Sequence, residues 1–354
     1  MNAFEIRDVL HKIPEASGCE VKTKAFLMDY LGKVPGLKLC DCGKWFYALH
    51  DEGAAKSIAF RCDMDAVTGA DGKPYHGCGH DGHMSVMTEL AEWTADRSLG
   101  KNVYFIFQHA EESGEGGAEC SKLLTEKSID EAYAFHNCPG FEEGSVLMLK
   151  ECFACASLGL IIGLQGSQSH AAYPENGRNS VFAITEIFSH WNEFLDPAEY
   201  RGMVLATPVE VNAGSRSFGV AAGSGEIGLT LRAWFTEDLK KLKEKVMSLS
   251  EDICSRQGIQ CSFETVDEFP ATENSKDLYQ KVVDAAGKAD LHIITPDEPF
   301  RWSEDFGWYG GKTKAFMLGI GAGRKAAGLH TPEYEWNDQV TLSAVRLFKK
   351  VIEL

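Results

Sequence analysis

The segment His76–His83 reads HGCGHDGH and places three histidines, one cysteine and one aspartate close together. Thiolate and imidazole groups side by side are ligands suited to divalent transition metals. The intervening glycines permit backbone angles that other residues rarely adopt, so the segment could also be a tight turn carrying a surface histidine. The density of ligand side chains favours a metal site.

Two adjacent glutamates, Glu111 and Glu112, follow the apolar run YFIF in the segment YFIFQHAEE. At such a position one carboxylate can bind a metal while its neighbour takes a proton from water. The alternative is a solvated acidic run, since Glu115 and Glu119 come next. The pair stands where a buried strand should stop, and this favours the metal site.

Two further histidines lie in polar segments, His136 in FHNCPG and His330 in LHTP. Either one alone would more often be a structural histidine than a ligand. Taken together, these segments can supply a ligand set of one cysteine, one glutamate and three histidines. Such a set suffices for two metals that share a ligand.

The elements that must position these residues follow an alternating pattern. SIAFRCDMD, NVYFIFQHAEE and EAYAFHNCPG are predicted as buried strands that run into polar residues, and HMSVMTELAEWTAD is predicted as a helix. Alternating apolar strands and helices indicate a mostly parallel sheet flanked by helices. Ligands bind outside the carboxyl ends of strands in such sheets, so the polar ends can converge on one site.

The chain changes character near residue 154. From there, two predicted helices stand among about four predicted strands, which is enough for a compact α/β sandwich of ordinary small-domain size. With 354 residues the chain also exceeds what one hydrophobic core usually holds. We therefore predict a two-domain α/β fold. A catalytic domain of residues 1–153 and 265–354 is interrupted by a smaller lid or dimerisation domain of residues 154–264.

Composition excludes several classes of function. The formal net charge of -17 disfavours a nucleic-acid partner, because an acidic surface repels phosphates. No apolar run approaches the ~18 residues of a membrane span, and the start has no signal-peptide pattern, so we expect a cytoplasmic protein without a membrane partner. Eleven cysteines, an odd number, argue against a disulfide framework, and the CxxC of Cys152 and Cys155 is interpreted as a pair of buried thiols.

Eight segments spread from end to end carry a family resemblance. They are LHKIPEAS, RCDMDAV, HGCGHDGH, FQHAEESGEGGA, FHNCPG, QGSQSHAAYPENGRN, SEDF and GLHTPEYEWND. With them the sequence resembles the amidohydrolase branch of the M20 metallopeptidase family. That branch includes aminoacylases, hippurate hydrolases, N-acetyldiaminopimelate deacetylases and plant auxin-conjugate hydrolases. HGCGHDGH followed by the paired glutamates is the most specific part of the match.

The resemblance implies two divalent metal ions per subunit, with zinc, manganese, cobalt and nickel all compatible with the ligand types. It makes Cys78 the bridging ligand and Glu111 the general base. The other implied metal ligands are His80, Glu112, His136 and His330.

The resemblance also implies roles for three further residues and a homodimer. Asp65 would orient a ligand or the base. His170, in SHAAYP, would stabilise the oxyanion, often across a dimer interface; otherwise it is a turn histidine before Pro174. Arg232, in LTLRAW, would hold the substrate carboxylate as a planar fork, or else it is a surface strand arginine.

Three departures from the family pattern fall on the substrate side. Gly219 stands where an asparagine that helps to hold the substrate is expected. His109 replaces the usual proline before Ala-Glu-Glu, either as an added polar contact or as a filler. The segment VTGADGKPY, between Asp65 and His76, is shortened.

These observations support a metal-dependent amidohydrolase that cleaves an N-acyl amino acid to a carboxylic acid and an amino acid. One alternative is a dipeptidase or carboxypeptidase with the same machinery. Another is a family member that binds metal and ligand without catalysis. A purely structural zinc module is excluded, because closed structural sites do not pair their ligands with a base.

Overall fold

The computed structural model describes residues 1–354, and the chain divides into two compact units. The first comprises Met1–Phe153, Thr272–Pro299 and Glu304–Leu354, and the second comprises Ala154–Ala271 and Phe300–Ser303. The predicted domain boundary after residue 153 coincides with the first change of unit. The predicted boundary at 264/265 instead falls inside a strand that runs Gln260–Phe269, so the second unit extends to Ala271.

The first unit contains an eight-stranded mixed sheet and a separate two-stranded ribbon. Its strands are β1 (Leu37–Asp41), β2 (Phe46–His50), β3 (Ser57–Asp63), β4 (Val67–Thr68), β5 (Pro74–Tyr75), β6 (Asn102–Gln108), β7 (Glu131–Pro139), β8 (Val146–Leu147), β13 (Ile293–Ile294) and β14 (Lys314–Gly323).

Strands in the large sheet follow the order β1-β2-β6-β3-β7-β14-β8-β13. The four central strands β6, β3, β7 and β14 run parallel to one another, whereas β2 and β8 join them antiparallel. Every residue of β3 and β6 is buried, which explains their unbroken apolar character: both faces of the sheet are covered. The predicted strands and their parallel arrangement are confirmed at the centre of the sheet.

Helices accompany this sheet. They are α1 (Ala3–Leu10), α2 (Val21–Leu31), α3 (His80–Thr94), α4 (Gly116–Cys120), α5 (Lys122–Glu126), α9 (Lys276–Lys288), α10 (Gly307–Gly310) and α11 (Asp338–Glu353). Helix α11 begins where the Asn337 side chain accepts a hydrogen bond from the Gln339 N–H. Its Phe348 packs edge-on against Phe60 of β3, with ring centroids 5.1 Å apart.

Helix α3 begins at the predicted metal ligand His80, and Cys78 lies two residues before it. Gly79, directly before it, has φ 90°, a left-handed conformation that favours glycine. A Cβ atom on Gly82, in the first turn, would lie 2.3 Å from the Trp336 ring. Gly79 thus allows the sharp turn that leads into helix α3, and Gly82 allows close packing against Trp336.

The second unit is a four-stranded antiparallel sheet in the order β10-β11-β9-β12. Its elements are β9 (Ala156–Gln165), α6 (Ser180–Ser189), α7 (Trp191–Phe194), β10 (Val204–Ala213), β11 (Ser224–Ala233), α8 (Thr236–Arg256) and β12 (Gln260–Phe269). Burial alternates along β9 from Leu158 to Leu164, because α6 and α8 cover one face of the sheet only. The smaller α/β sandwich is therefore confirmed.

None of the helices combines the length and the apolar character needed to cross a membrane.

Candidate active site and metal centre

All five predicted metal ligands lie in the first unit, and the fold brings them together. His136 is on β7 and Glu112 follows the end of β6, while His80 is the first residue of α3 and Cys78 precedes that helix. Cys78 is central. Its Sγ atom lies 3.4 Å from His136 Nε2 and 3.3 Å from His330 Nε2.

Glu112 connects His330 to His80, the third histidine of the cluster. Its Oε1 atom is 3.3 Å from His330 Nε2 and 3.7 Å from His80 Nε2. Cys78, Glu112 and His330 form one group whose ligand atoms lie within 4.8 Å of one another, and Cys78, His80 and His136 form a second such group. The two groups share Cys78, so its thiolate is placed where it can contact both.

Backbone carbonyls orient two of the imidazole rings. His80 Nδ1 donates to the carbonyl of Asp65 and His136 Nδ1 donates to the carbonyl of Asn137, each at 2.9 Å. Because a carbonyl can only accept, Nδ1 carries the hydrogen in both rings, and in the neutral ring Nε2 keeps the lone pair. These outer hydrogen bonds are the ones that usually set the tautomer of a metal-binding histidine.

Two buried atoms of the cluster lack any hydrogen-bond partner, His80 Nε2 and Glu112 Oε1. Buried polar atoms are rarely left unsatisfied, and each such atom calls for an explanation. Both atoms belong to residue types that bind divalent transition metals, and both point toward the other ligands. The residues present therefore fit a metal centre.

Glu111 stands beside this cluster and is itself buried. Its Oε2 atom lies 3.9 Å from His80 Nε2. Burial, followed by the neighbouring carboxylates of Glu304 and Glu112, raises the pKa of Glu111 well above its usual range. A carboxyl group whose pKa is raised binds a proton more readily than an exposed carboxylate, which suits a group that takes up and returns a proton.

A tight turn carries Glu111 and Glu112 away from β6. Ala110 has φ 50°, in the left-handed region, and its carbonyl accepts hydrogen bonds from the N–H groups of Glu115 and Gly116, each at 3.2 Å. A Cβ atom on Gly116 would lie 1.7 Å from the carbonyl oxygen of His109. The turn therefore requires glycine at position 116.

Asp65, predicted to orient a ligand or the base, forms hydrogen bonds with two of the ligand residues, Glu112 and His80. Its Oδ2 accepts a hydrogen bond from the Glu112 N–H at 2.9 Å and another from Ser17 Oγ at 2.7 Å. Its backbone carbonyl holds His80. Asp65 thus ties two ligands to the end of β3 but is not among the grouped ligand atoms.

His330 reaches the cluster from a distant part of the chain in a left-handed conformation, with φ 61°. Its N–H donates to the Gly77 carbonyl and its own carbonyl accepts from the Tyr75 hydroxyl, both at 2.8 Å. The strained backbone is therefore held on both sides by the segment that precedes Cys78.

The other two predicted site residues, His170 and Arg232, belong to the second unit. His170 is on an exposed loop, and its Nδ1 accepts from the Ala172 N–H at 3.0 Å. Arg232 Nη1 donates to the carbonyl of Arg301 at 3.0 Å and to Ser303 Oγ at 2.8 Å. Neither residue is part of the ligand cluster of the first unit.

Gly219 and His109, two positions that depart from the family pattern, differ in their surroundings. Gly219 has open space where a side chain would be, and its carbonyl accepts from the Ala171 N–H at 2.9 Å. His109 is buried against Cys120 Sγ at 3.9 Å and Glu119 at 3.6 Å. His109 is thus not grouped with the metal ligands and occupies a separate small polar contact.

A buried charge network beneath the site was not assigned a role from the sequence. Arg61 donates to Asp63 Oδ2 at 2.9 Å, forms an ion pair with Glu304 at 2.8 Å, and also contacts Asp305. Asp63, Glu304 and Glu111 lie within 4.8 Å of one another. Charged residues after an apolar strand were the available signal, but a sequence does not show whether such charges are solvated or buried.

His83 is the third histidine of HGCGHDGH that sequence reasoning left without a role. Its Nδ1 contacts Asp63 Oδ1 and its Nε2 contacts Asn137 Oδ1, both at 2.7 Å. Its ring lies edge-on to that of His136, with centroids 4.9 Å apart. His83 therefore packs against the ligand His136 and links Asp63 to Asn137 through buried hydrogen bonds.

Comparison with known proteins assigns the class. The model of peptidase family M20/M25/M40 matches residues 59–354. The chain therefore belongs to this family, the resemblance to M20 proteins is confirmed, and the protein is a metal-dependent hydrolase.

Individual relatives match along nearly the whole chain. The N-acetyldiaminopimelate deacetylase of Priestia megaterium is 28% identical over 375 residues, covering 99% of this chain and 97% of the relative. An uncharacterized hydrolase of Staphylococcus aureus is 25% identical over 379 residues, with 99% and 98% covered. A Bacillus subtilis crystal structure, described as a dinuclear metal-binding peptidase of the M20 family, superposes with a TM-score of 0.84 at 21% identity, with 99% and 96% covered. The last similarity confirms the two-domain fold.

Proposed function

We propose that this protein is a dinuclear metal-dependent amidohydrolase that cleaves the amide bond of an N-acyl amino acid, releasing a carboxylic acid and an amino acid. The observation that carries the proposal is the buried carboxyl group of Glu111 beside a cluster of five ligand residues. The similarity to an N-acetyldiaminopimelate deacetylase supports an N-acyl amino acid as substrate.

The metal ions would be held by two ligand groups that share the Cys78 thiolate. The other ligands are His80, His136, Glu112 and His330. When bound, divalent ions at such a site lower the pKa of water toward ~7 and polarise the scissile carbonyl. The donor types accommodate zinc, manganese, cobalt or nickel.

The chain's own residues divide the remaining tasks. Glu111 takes the proton of the attacking water and returns it to the leaving nitrogen, since its carboxylate lies beside the ligand cluster. Asp65 keeps Glu112 and His80 in place through its hydrogen bonds. By resemblance, His170 donates to the developing oxyanion and Arg232 holds the substrate carboxylate.

The decisive experiment uses metal-stripped protein reloaded with zinc, manganese or cobalt and a panel of N-acetyl, N-benzoyl and aminoacyl amino acids. Glu111→Gln should lower kcat by about 10²–10⁴-fold, the usual contribution of a general base. Metal content should remain that of the wild type, because Glu111 is proposed as the base and not as a ligand. Glu115→Gln, an exposed carboxylate in the same turn, is the matched control and should keep full activity. Near-normal turnover by Glu111→Gln would show the mechanism to be wrong.

The same panel separates the alternatives. Preference for aminoacyl substrates would indicate a dipeptidase or carboxypeptidase. Metal uptake without turnover of any substrate would indicate a binding protein, an idea motivated by Gly219 at the position of the family asparagine. The homodimer stays a prediction.

A further inference from the structure

Ala110, directly before Glu111, adopts a backbone conformation that must be enforced by its surroundings. Its φ of 50° lies in the left-handed region, where the Cβ atom of a non-glycine residue crowds the backbone. Such strained residues persist only where neighbouring structure holds them, and they concentrate at functional sites. The direction in which Glu111 leaves β6 depends on this one residue.

The side chain of Glu20, ninety positions earlier in the chain, stabilises this conformation of Ala110. Its Oε1 accepts a hydrogen bond from the Ala110 N–H at 2.8 Å and from the Gly18 N–H at 2.9 Å. The side chain is almost fully buried, with 4% of the residue exposed. Removing a carboxylate from water costs free energy, and the hydrogen bonds from the two N–H groups offset part of that cost.

Glu20 directly precedes helix α2, but its buried carboxylate does not cap that helix. Glu15 already serves the helix start: its Oε2 accepts from the N–H groups of Lys22 and Thr23, at 2.8 and 2.9 Å. Glu20 makes no side-chain hydrogen bond to that helix start. Its carboxylate instead faces the turn that carries the base.

The same short segment also supports the turn at Glu112, two residues after Ala110. Ser17 Oγ donates to Asp65, and Asp65 accepts from the Glu112 N–H. Residues 17–20 therefore fix the turn at two successive points, the Ala110 N–H through Glu20 and the Glu112 N–H through Asp65. Glu111 lies between these two anchors.

We propose that Glu20 is a positioning residue for Glu111, acting through the hydrogen bond that holds Ala110 in its left-handed conformation. The inference rests on the proposed function, in which Glu111 is the general base. Without this bond the turn relaxes, and the Glu111 carboxylate moves away from the position it needs for proton transfer. A misplacement of about 1 Å at a reacting group can lower a rate on the order of 100-fold.

The test compares Glu20→Ala with Glu20→Gln and with Glu15→Ala. Glu20→Ala should lower kcat by about 10- to 100-fold while KM changes little, because only the orientation of the base is affected. Glu20→Gln keeps the Oε1 acceptor and should restore most of the rate. Glu15→Ala removes a carboxylate that accepts from two N–H groups of the neighbouring helix start, so it should lower the melting temperature without the loss in kcat.

Hydrogen exchange supplies a readout independent of turnover. In metal-free protein, the Ala110 amide should exchange faster in Glu20→Ala than in the wild type, and Glu20→Gln should retain protection. An unchanged kcat in Glu20→Ala, or a loss in kcat equal to that of Glu15→Ala, would overturn the inference. A loss in Glu20→Gln equal to that in Glu20→Ala would also overturn it, since the effect would then come from charge.

Failure of the inference is distinguishable from failure of the proposed function. If Glu111→Gln is inactive and Glu20→Ala is fully active, Glu111 remains the base and only the role of Glu20 is wrong. If Glu111→Gln keeps its activity, the proposed mechanism itself is wrong.

Discussion

Replacing Asp65 by alanine tests whether this residue holds the metal ligands in place. The substitution removes the oxygen that accepts hydrogen bonds from the Glu112 N–H at 2.9 Å and from Ser17 Oγ at 2.7 Å. The backbone carbonyl that holds His80 remains. The change therefore acts mainly on Glu112.

The size of the effect follows from these contacts. A hydrogen bond to a charged group contributes about 1.5–3 kcal/mol, and in this variant a part-buried N–H also loses its partner. If the whole free energy of the Glu112 hydrogen bond is subtracted from metal binding, the metal affinity falls about 10- to 100-fold, at about 1.4 kcal/mol per tenfold. The usual cost of removing an outer hydrogen-bond partner of a ligand lies in the same range.

The assay is metal binding by metal-stripped protein in competition with a chromophoric chelator, with the melting temperature measured in parallel. Asp65→Asn is the matched control, because its side-chain oxygen can still accept from Glu112 and Ser17. It should lose less affinity than Asp65→Ala. Wild-type metal affinity in a folded Asp65→Ala protein would refute the reasoning.

Two further predictions concern stability. Gly82→Ala should destabilise the fold by about 1–3 kcal/mol through overpacking, because the added Cβ would lie 2.3 Å from the Trp336 ring. Gly287→Ala has open space in helix α9 and should be stabilising. Thermal unfolding measures both variants, and stabilisation by both would contradict this. Burial would raise the pKa of Glu131, but hydrogen bonds led by that from Lys281 lower it from 4.5 to about 2. Its stabilisation is therefore present above about pH 4.5 and lost as the pH falls toward 2, so Glu131→Gln should cost on the order of 1–2 kcal/mol at pH 7, after discounting for screening, and little near pH 2. Urea unfolding at both pH values measures the difference, and an equal cost at each would contradict the assignment.

Much of the site could be predicted because the apolar runs leave few choices. YFIF and the apolar run that leads to His136 have no polar face, so both are expected to be buried on two sides. The polar residues that come next are then expected at the carboxyl ends of these strands. Residue type then sets the chemistry: a thiol, imidazoles and paired carboxylates at one edge predict a metal-dependent hydrolase. The family match to M20 peptidases confirms that class.

The inserted domain shows a limit of such patterns. Its first boundary follows a change in character near residue 154, but its last strand continues to Phe269, which pairs with Ser157. That pairing joins residues far apart in sequence. Hydrophobic pattern locates the strand but does not determine how far its partner extends.

The three histidines of HGCGHDGH show most directly what only the tertiary structure decides. His76 Nε2 contacts the Leu10 carbonyl, His80 lies among the metal ligands, and His83 joins Asp63 to Asn137. By composition the three are equivalent, and their different roles come from partners on other elements. The sequence alone determines which chemistry the side chains can perform. The long-range pairing of strands, together with a buried carboxylate such as Glu20 reaching across ninety positions to Ala110, decides which of them stand close enough to perform it.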